Sequence, residues 1–267
     1  MKWTRFLPPL VSIGVWQGLS SLGIIPAYKL PSPVEIAQGV RDLIVVGMPP
    51  GRFLYEHIIY SLYRVFLGFS AAALIAIPLG VFMGISKRFR GIVDPLVEII
   101  RPIPPLAWIP IAILWFGIGN GSAGFIIFLG AFFPILLNTV SGVMSVDKLL
   151  VDVAYTLNAD KTQICIKVLI PAALPTIFTG MRIGMGVGWM ALVAAEFTGI
   201  KDGLGLGYMI MTARDIQRPD EIVAGMLVIG LIGICIDFGL RCIRTRVIHN
   251  IRSEWDPSNE SRNTGHK

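Results

Sequence analysis

Four ionisable side chains interrupt stretches of the sequence that are otherwise apolar. Arg64 lies in one stretch, Arg182 and Glu196 lie in another, and Asp237 lies in a third. Removing a charge from water costs at least a few kcal/mol, so these side chains are candidates for ion pairs or for binding a charged solute. For Arg182 both interpretations stay open: it contacts an anionic solute, or it forms a structural ion pair between helices.

The other three residues have simpler predicted surroundings. Arg64 is close enough to the end of its stretch for its long side chain to reach the membrane surface. Asp237 precedes Arg241 by one helical turn, which favours an ion pair between them. Glu196 is predicted near the outer end of its helix, where it faces either the bundle or an opening gate.

Common motifs of nucleotide hydrolysis, metal catalysis and serine hydrolysis are absent from the sequence. It contains no GxxxxGK[ST], HExxH or GxSxG segment, and the histidines at 57, 249 and 266 are scattered. The chain is therefore predicted to be no enzyme and to hold no catalytic metal or cofactor of its own. If ATP drives its activity, another subunit must supply the hydrolysis.

The composition predicts an integral membrane protein. Of the 267 residues, 54% are apolar and only 15% are charged, whereas about 25% are charged in a soluble domain. Residues 102–146 contain no ionisable side chain, and one membrane-spanning helix needs only about 20 residues. Turn residues at 117–122 divide this block into two spans. The predicted fold is all-α, with six transmembrane helices over about 6–25, 59–85, 103–118, 122–144, 172–197 and 222–240.

The distribution of Lys and Arg predicts the orientation. With the N-terminus inside, the predicted cytoplasmic segments carry 15 of these residues and the outer segments carry 6. Cytoplasmic loops are enriched in Lys and Arg, so both termini are predicted to be cytoplasmic. The net charge of +6 then reflects topology, and no nucleic-acid partner is expected.

Two outer segments have recognisable local signals. Ser32, Pro33 and Glu35 form a capping box that opens an amphipathic helix over about 33–46. This helix either anchors the chain at the membrane surface or contacts a protein outside. The glycines of 199–207 precede a short helix from Tyr208 to Arg214, which is a candidate gate.

The loop over 145–170, between the fourth and fifth predicted spans, carries six charged side chains. Asn158 is predicted in the left-handed conformation that ends helices. Asp160 and Gln163 form a second capping box, which opens a short helix that ends at Pro171. From these residues alone, the loop either packs on its own bundle or presents a helix to a partner. The first helix of the loop has one apolar face, formed by Leu149, Leu150, Val153, Ala154 and Leu157.

This loop resembles the Glu-Ala-Ala loop of permease subunits of binding-protein-dependent ABC importers. The resemblance lies in residues 152–159, DVAYTLNA, and in residues 168–175, VLIPAALP. Asp152 replaces the usual Glu, Val153 replaces a small residue, and Asn158 replaces the usual Gly.

Further segments are similar to the permeases of the nitrate, sulfonate, taurine and bicarbonate group. The similarity covers about residues 30–245 in order, and it is specific for the group but not for the solute. The segments are 31–33 (PSP), 61–65 (SLYRV), 101–110 (RPIPPLAWIP), 115–119 (WFGIG), 132–139 (FFPILLNT) and 179–184 (TGMRIG).

The resemblance implies the permease subunit of an ATP-driven importer in the bacterial inner membrane. Two permease copies would form a homodimer, two ATPase subunits would bind ATP and Mg²⁺ on the cytoplasmic side, and an external protein would deliver the solute. Asp152, Ala154, Asn158 and Ala159 would be the coupling residues, with Pro171 fixing how the fifth span leaves the loop. The alternative is a secondary carrier or channel without an ATPase.

The transport pathway has candidate residues of its own. Glycines at 180, 184 and 188 allow close helix packing, for which we favour a contact within the subunit over a dimer contact. The candidate pathway residues are Trp108, Trp115, Arg182, Trp189, Met190 and Glu196.

Overall fold

The computed structural model describes residues 7–49, 51–198 and 202–254, and these residues form helices and no strand. This confirms the all-α fold class. The helices, in chain order, are α1 (Leu7–Ser21), α2 (Pro33–Val45), α3 (Leu54–Ile85), α4 (Lys87–Ile100), α5 (Ile109–Phe116), α6 (Asn120–Met144), α7 (Lys148–Thr156), α8 (Lys161–Ile164), α9 (Ile170–Phe197), α10 (Leu206–Asp215) and α11 (Pro219–Glu254).

Four helical segments in the described residues are long and apolar enough to cross a membrane. They are α3, α6, the continuous run Lys161–Phe197 that includes α8 and α9, and the Pro219–Val247 part of α11. A fifth crossing is possible over α4 and the segment Pro105–Phe116, which meet at a bend of 82°. At 15 residues, α1 is shorter than the roughly 20 residues of a straight span.

The centre of the bundle is α6, which packs along both α3 and α9. Glycines make this close approach possible. A Cβ at Gly80 of α3 would lie 2.7 Å from the Thr139 Cβ, and a Cβ at Gly184 of α9 would lie 2.8 Å from the Ala131 carbonyl oxygen. Because Gly180 and Gly188 also face α6, the glycine stripe of α9 is confirmed as a packing surface within the subunit.

The segment before the third predicted span contains a helix that the sequence analysis did not predict. Ser86 caps α4, since its Oγ accepts the Phe89 N–H at 3.2 Å. The helix ends at Ile100, just before Pro102 and Pro104, because proline disfavours helical geometry in the residue before it. The predicted span 103–118 is therefore a short 3₁₀ turn, Pro105–Trp108, followed by the eight residues of α5.

Pro171 does not separate two helices as the sequence predicts. The chain is helical from Lys161 to Phe197, and the turn Cys165–Leu169 widens to π-helical geometry, with the Ile170 N–H donating to the Cys165 carbonyl. Proline lacks an N–H and its ring crowds the preceding turn. The wider turn accommodates Pro171 at the start of α9 without a break.

The two ends of the bundle can be named by the short helices that lie there. At the α10 end are the starts of α3 and α6, because His57 contacts Gly205 and Arg64 contacts Asn120 and the Leu204 carbonyl. The opposite end is named the α7 end. The last residue of α6, Met144, lies there together with the loop that carries α7.

Candidate functional site

The loop at the α7 end exposes an apolar helix face. Asp147 caps α7, with its Oδ1 accepting the Leu149 N–H at 2.9 Å. Leu157 is 78% exposed and Leu149 is 66% exposed, and Leu150 and Val153 are also exposed. Of the predicted stripe only Ala154 is buried, so α7 packs on the bundle by its alanine side. The four larger apolar residues remain uncovered, which is the chemistry of a docking surface.

A sharp turn joins α7 to α8. Asn158 adopts the predicted left-handed conformation, with φ of 60°. The Ala159 N–H donates to the Ala154 carbonyl at 3.1 Å, and the Asn158 N–H donates to the Tyr155 carbonyl at 3.0 Å. These two bonds are the Schellman arrangement that closes a helix end. The predicted capping box of Asp160 and Gln163 is also confirmed.

The predicted coupling residues therefore lie on one compact element. Asp152 and Asn158 are exposed, Ala159 is half-buried, and Ala154 anchors the helix. Pro171 lies about seven residues beyond the capping box, at the start of α9. The turn fixes the direction of α7 relative to the long helix Lys161–Phe197.

Two clefts flank one face of α9, and both are lined by Ile183 and Val187. The first, of about 400 Å³, lies between α9, α6 and the turn at Trp108, and Arg101 and Asn138 also line it. The second, of about 560 Å³, lies between α9 and α11 and contains, besides the shared pair, Thr179, Arg182, Gly186, Met190, Asp237 and Arg244. Of the predicted pathway residues, Trp108, Arg182 and Met190 thus line these clefts.

Arg182 forms an ion pair with Asp237 of α11. Its Nη2 donates to the Asp237 Oδ2 at 3.1 Å, and its Nε also contacts this carboxylate. The predicted pair of Asp237 with Arg241 is confirmed at 2.7 Å. Arg182 therefore takes part in a structural ion pair. Because its side chain is still 41% exposed, it also faces the second cleft.

The other two tryptophans among the predicted pathway residues, Trp115 and Trp189, lie outside the two clefts. Trp189 is only 7% exposed, and its indole nitrogen would lie 3.2 Å from a Cβ at Gly233 of α11. Trp115 is exposed and packs edge-on against Phe125 at 5.8 Å between ring centroids. The structure therefore places Trp189 in the helix packing and Trp115 on the surface.

Glu196 and Arg64 form an ion pair that is fully buried at the α10 end. The Arg64 Nη1 lies 2.8 Å from the Glu196 Oε1, and neither side chain is exposed. The prediction that Arg64 reaches the membrane surface is wrong. Buried carboxylates and guanidinium groups are stable only when paired and hydrogen-bonded, and this partner comes from a helix that lies 132 residues away in the sequence.

Backbone groups of the glycine-rich loop complete this site. The Gly207 N–H donates to the Glu196 Oε2 at 2.8 Å, and Arg64 donates to the Leu204 carbonyl at 2.6 Å. Ser61 donates to the Glu196 carboxylate and accepts the Leu206 N–H. Sequence reasoning missed the network. The available signal was a base and an acid in two mostly apolar stretches, with Ser61 one helical turn before Arg64.

A second charged cluster joins α2 to the start of α11. Arg218 lies within 3.0 Å of Asp42, Asp220 and Glu221. Hydrogen bonds from the guanidinium to Asp220 first, and to Asp42, raise the pKa of Arg218 above its ordinary value. The three carboxylates could together suit a metal ion, but Arg218 already supplies a cation among them. We assign this cluster as a joint between helices.

Comparison with known proteins gives a consistent result. The profile of the family described as binding-protein-dependent transport system inner membrane component matches residues 76–253. A protein of Methanocaldococcus jannaschii that is provisionally named an ABC transporter permease is 49% identical over 238 residues, covering 89% of this chain and 88% of that protein. The taurine transport system permease protein of Escherichia coli is 39% identical over 240 residues, covering 89% of this chain and 86% of that protein.

The fold also resembles a solved structure. An inward-facing conformation of a methionine ABC transporter superimposes on this chain with a TM-score of 0.61 at 20% identity, covering 82% of this chain and 98% of that chain. At this identity the likeness concerns the fold alone.

Proposed function

Because the chain belongs to the family of binding-protein-dependent transport system inner membrane components, we propose that it forms the translocation pathway of an ATP-driven importer. It is an ABC transporter permease of the inner membrane, and it is not an enzyme. The solute is a small anion or organic solute of the nitrate, sulfonate, taurine or bicarbonate type, the group whose sequence segments this chain shares.

The observation that carries the proposal is the uncovered apolar face of α7. Three large exposed apolar side chains on this nine-residue helix, with Leu157 directly after it as a fourth, are unfavourable in water unless another protein covers them. An ATPase subunit with an apolar groove is the partner of suitable chemistry. Asp152, Ala154, Asn158 and Ala159 then couple it to the permease, and Pro171 lies where the loop continues into α9.

The complete importer contains two copies of this chain, two ATPase subunits and an external binding protein. ATP and Mg²⁺ bind the ATPase subunits, because the permease sequence has no phosphate-binding loop. Closure of the ATPase pair moves the two α7 helices together and opens the pathway at the α10 end. This is alternating access between two conformations, and the nucleotide and the solute need only favour one of them differentially.

The α7 end faces the cytoplasm in this proposal, and the α10 end faces outward. This orientation is supported by the excess of Lys and Arg in the segments assigned to the α7 end. Six segments cross the membrane, with α1 as the first, the segment 103–118 as the third, and both termini inside. The helix α2 then lies at the outer surface, where it is available to a binding protein.

The exposed face of α9 is the proposed pathway surface. Trp108 lines one cleft and Arg182 and Met190 line the other, so an arginine and polarisable side chains meet the solute. Arg182 is held by Asp237 in the present conformation, and an anion can compete for it only when that pair opens.

A secondary carrier or channel is the alternative function. Such a protein would need no exposed apolar helix at the α7 end. Dependence of uptake on an ATPase subunit therefore separates the two.

The test is reconstitution of the chain with a partner ATPase subunit and a solute-binding protein of the same importer. We expect taurine, nitrate or bicarbonate to stimulate ATP hydrolysis, and we expect Asp152→Lys and Asn158→Pro to abolish the stimulation while the chain still inserts. Asn158→Gly keeps the left-handed turn and Asp94→Lys reverses a charge on α4 instead, so both should behave as the wild type. Uptake that proceeds without any ATPase would establish the carrier.

A further inference from the structure

The first turn of α10 is capped by side chains from two other helices. The first N–H groups of a helix have no partner within it. Here the Leu206 N–H donates to the Ser61 Oγ of α3 at 2.9 Å, and the Gly207 N–H donates to the Glu196 Oε2 of α9 at 2.8 Å. A carboxylate is the favoured group at this position because the helix dipole is positive there.

The charge on Glu196 is balanced inside the protein by Arg64. Besides Glu196, the guanidinium donates to the Leu204 carbonyl and, through Nε, to the Asn120 Oδ1 at 2.6 Å. Arg64 therefore connects α3, α6, α9 and the loop before α10. Removing either charge leaves the other buried without a partner, which is strongly unfavourable.

The loop before α10 fits directly against this pair. Gly205 has a φ of 143°, a conformation that side chains rarely adopt, and a Cβ there would lie 2.5 Å from the Glu196 Oε1 and 2.8 Å from the Arg64 Nη1. At Gly207 a Cβ would lie 2.5 Å from the Val193 carbonyl oxygen. The two glycines let the backbone approach closely enough for the Gly207 N–H to reach the carboxylate and for the Leu206 N–H to reach Ser61.

The other end of α10 is also held. The chain turns at Gln217 with a φ of 56°, and the next residue, Arg218, reaches Asp42 of α2 at 2.9 Å. The helix is thus fixed at its start to α3 and α9 and at its end to α2. It lies across the α10 end of the bundle and cannot move there without breaking one of these two joints.

Resting on the proposed function, we propose that Glu196 and Arg64 are positioning residues for transport. They hold the start of α10 to α3 and α9, so that the outer end of the pathway opens and closes together with these helices in each cycle of ATP hydrolysis. Neither residue needs to contact the solute for this role.

The first experiment measures whether the pair holds α10. The isolated chain in lipid nanodiscs is digested with trypsin, and mass spectrometry follows cleavage after the exposed Arg214 of α10, with cleavage after the exposed Lys161 at the α7 end as the internal reference. For Glu196→Gln we expect cleavage after Arg214 to accelerate about fivefold or more, because the first turn of α10 loses a charged cap.

The second experiment measures coupling in the reconstituted complex with taurine, nitrate and bicarbonate as probes. Glu196→Gln, Arg64→Lys and Gly205→Ala should each lower uptake about tenfold while stimulated ATP hydrolysis stays within about twofold of wild type. Gly205→Ala changes no charge, so it tests the same contact from the loop side. The matched control is Gly230→Ala on α11, where an added Cβ would meet no atom within 4 Å and which should keep normal coupling.

Unchanged cleavage after Arg214 in Glu196→Gln would overturn the proposal. So would loss of uptake only in proportion to hydrolysis or to assembled complex, since that outcome indicates a merely structural pair. The same conclusion would follow if Glu196→Gln, Arg64→Lys and Gly205→Ala all failed to assemble. A wild-type complex without solute-stimulated hydrolysis would instead count against the proposed importer, and the cleavage experiment would still decide whether the pair holds α10.

Discussion

Truncating two exposed leucines, one on α7 and one directly after it, is expected to weaken ATPase binding while leaving the permease fold intact. Leu149 and Leu157 are 66% and 78% exposed, so they contribute little to packing within the subunit. Their expected contribution is to the free energy of ATPase binding, through the apolar surface that the partner would cover. The double change to alanine removes that surface without introducing a charge or a helix breaker.

The magnitude follows from the uncovered fraction of each side chain. A leucine-to-alanine change removes three carbons, and each buried methylene is worth about 0.8 kcal/mol. Scaled by the exposed fractions, the two changes remove about 3.5 kcal/mol if the partner covers both side chains completely. Coverage of about half gives about 1.7 kcal/mol, so the dissociation constant should rise by about 20-fold to 300-fold.

The assay is the binding of the purified ATPase subunit to the permease in nanodiscs. Leu114→Ala is the matched control, because Leu114 is 82% exposed on α5, away from the α7 loop. A change of less than about threefold in the double variant, equivalent to about 0.7 kcal/mol, would refute the assignment of α7 as the docking surface. An equal loss in the control would show that the effect is not specific to α7.

Three further predictions concern other elements. Arg182→Ala should lower uptake without releasing the ATPase, because Arg241 still neutralises Asp237; normal uptake by the reconstituted variant would leave Arg182 with only its structural ion pair. Gly184→Leu should destabilise the chain by about 1 to 3 kcal/mol through overpacking against α6, seen as a lower Tm, whereas Gly186→Leu, with open space around it, should not. The Gln217→Val variant should be about 1 to 2 kcal/mol less stable to unfolding than the Gln217→Gly variant, because a β-branched residue disfavours the positive φ at this position. Equal Tm values for the two variants would contradict this.

The features that were predictable from sequence depend on near neighbours in the chain. The turn at Asn158 and the capping boxes of Ser32 and Asp160 each use residues no more than about five positions apart. Their hydrogen bonds form within one helical turn, so the residue types at fixed spacing are sufficient. The glycine stripe of α9 was also predictable, since a spacing of four residues places Gly180, Gly184 and Gly188 on one face of a helix.

The features that were missed depend on how separate segments pack. Arg64 has the same local pattern whether it reaches the membrane surface or pairs with Glu196, and only the approach of α3 to α9 decides between them. In a similar way α4 is too polar to match the pattern of a spanning helix, so its segment was assigned only as a loop. At Pro171 the expected break was avoided by a wider turn five residues long, which has no signal in the sequence.

The two ends of the bundle differ in a way that fits their proposed roles. Side chains on α7 are apolar and exposed, so a partner can bind them and dissociate without leaving a buried charge unpaired. At the α10 end the contacts are charged and fully buried, and opening them exposes two unpaired charges to a poorly solvated interior, at a cost of about 3 to 5 kcal/mol. A reversible ATPase contact favours the first kind of surface. A helix that must keep its position through each transport cycle favours the second, and the placement of Glu196 beneath the first turn of α10 meets that requirement with a single carboxylate.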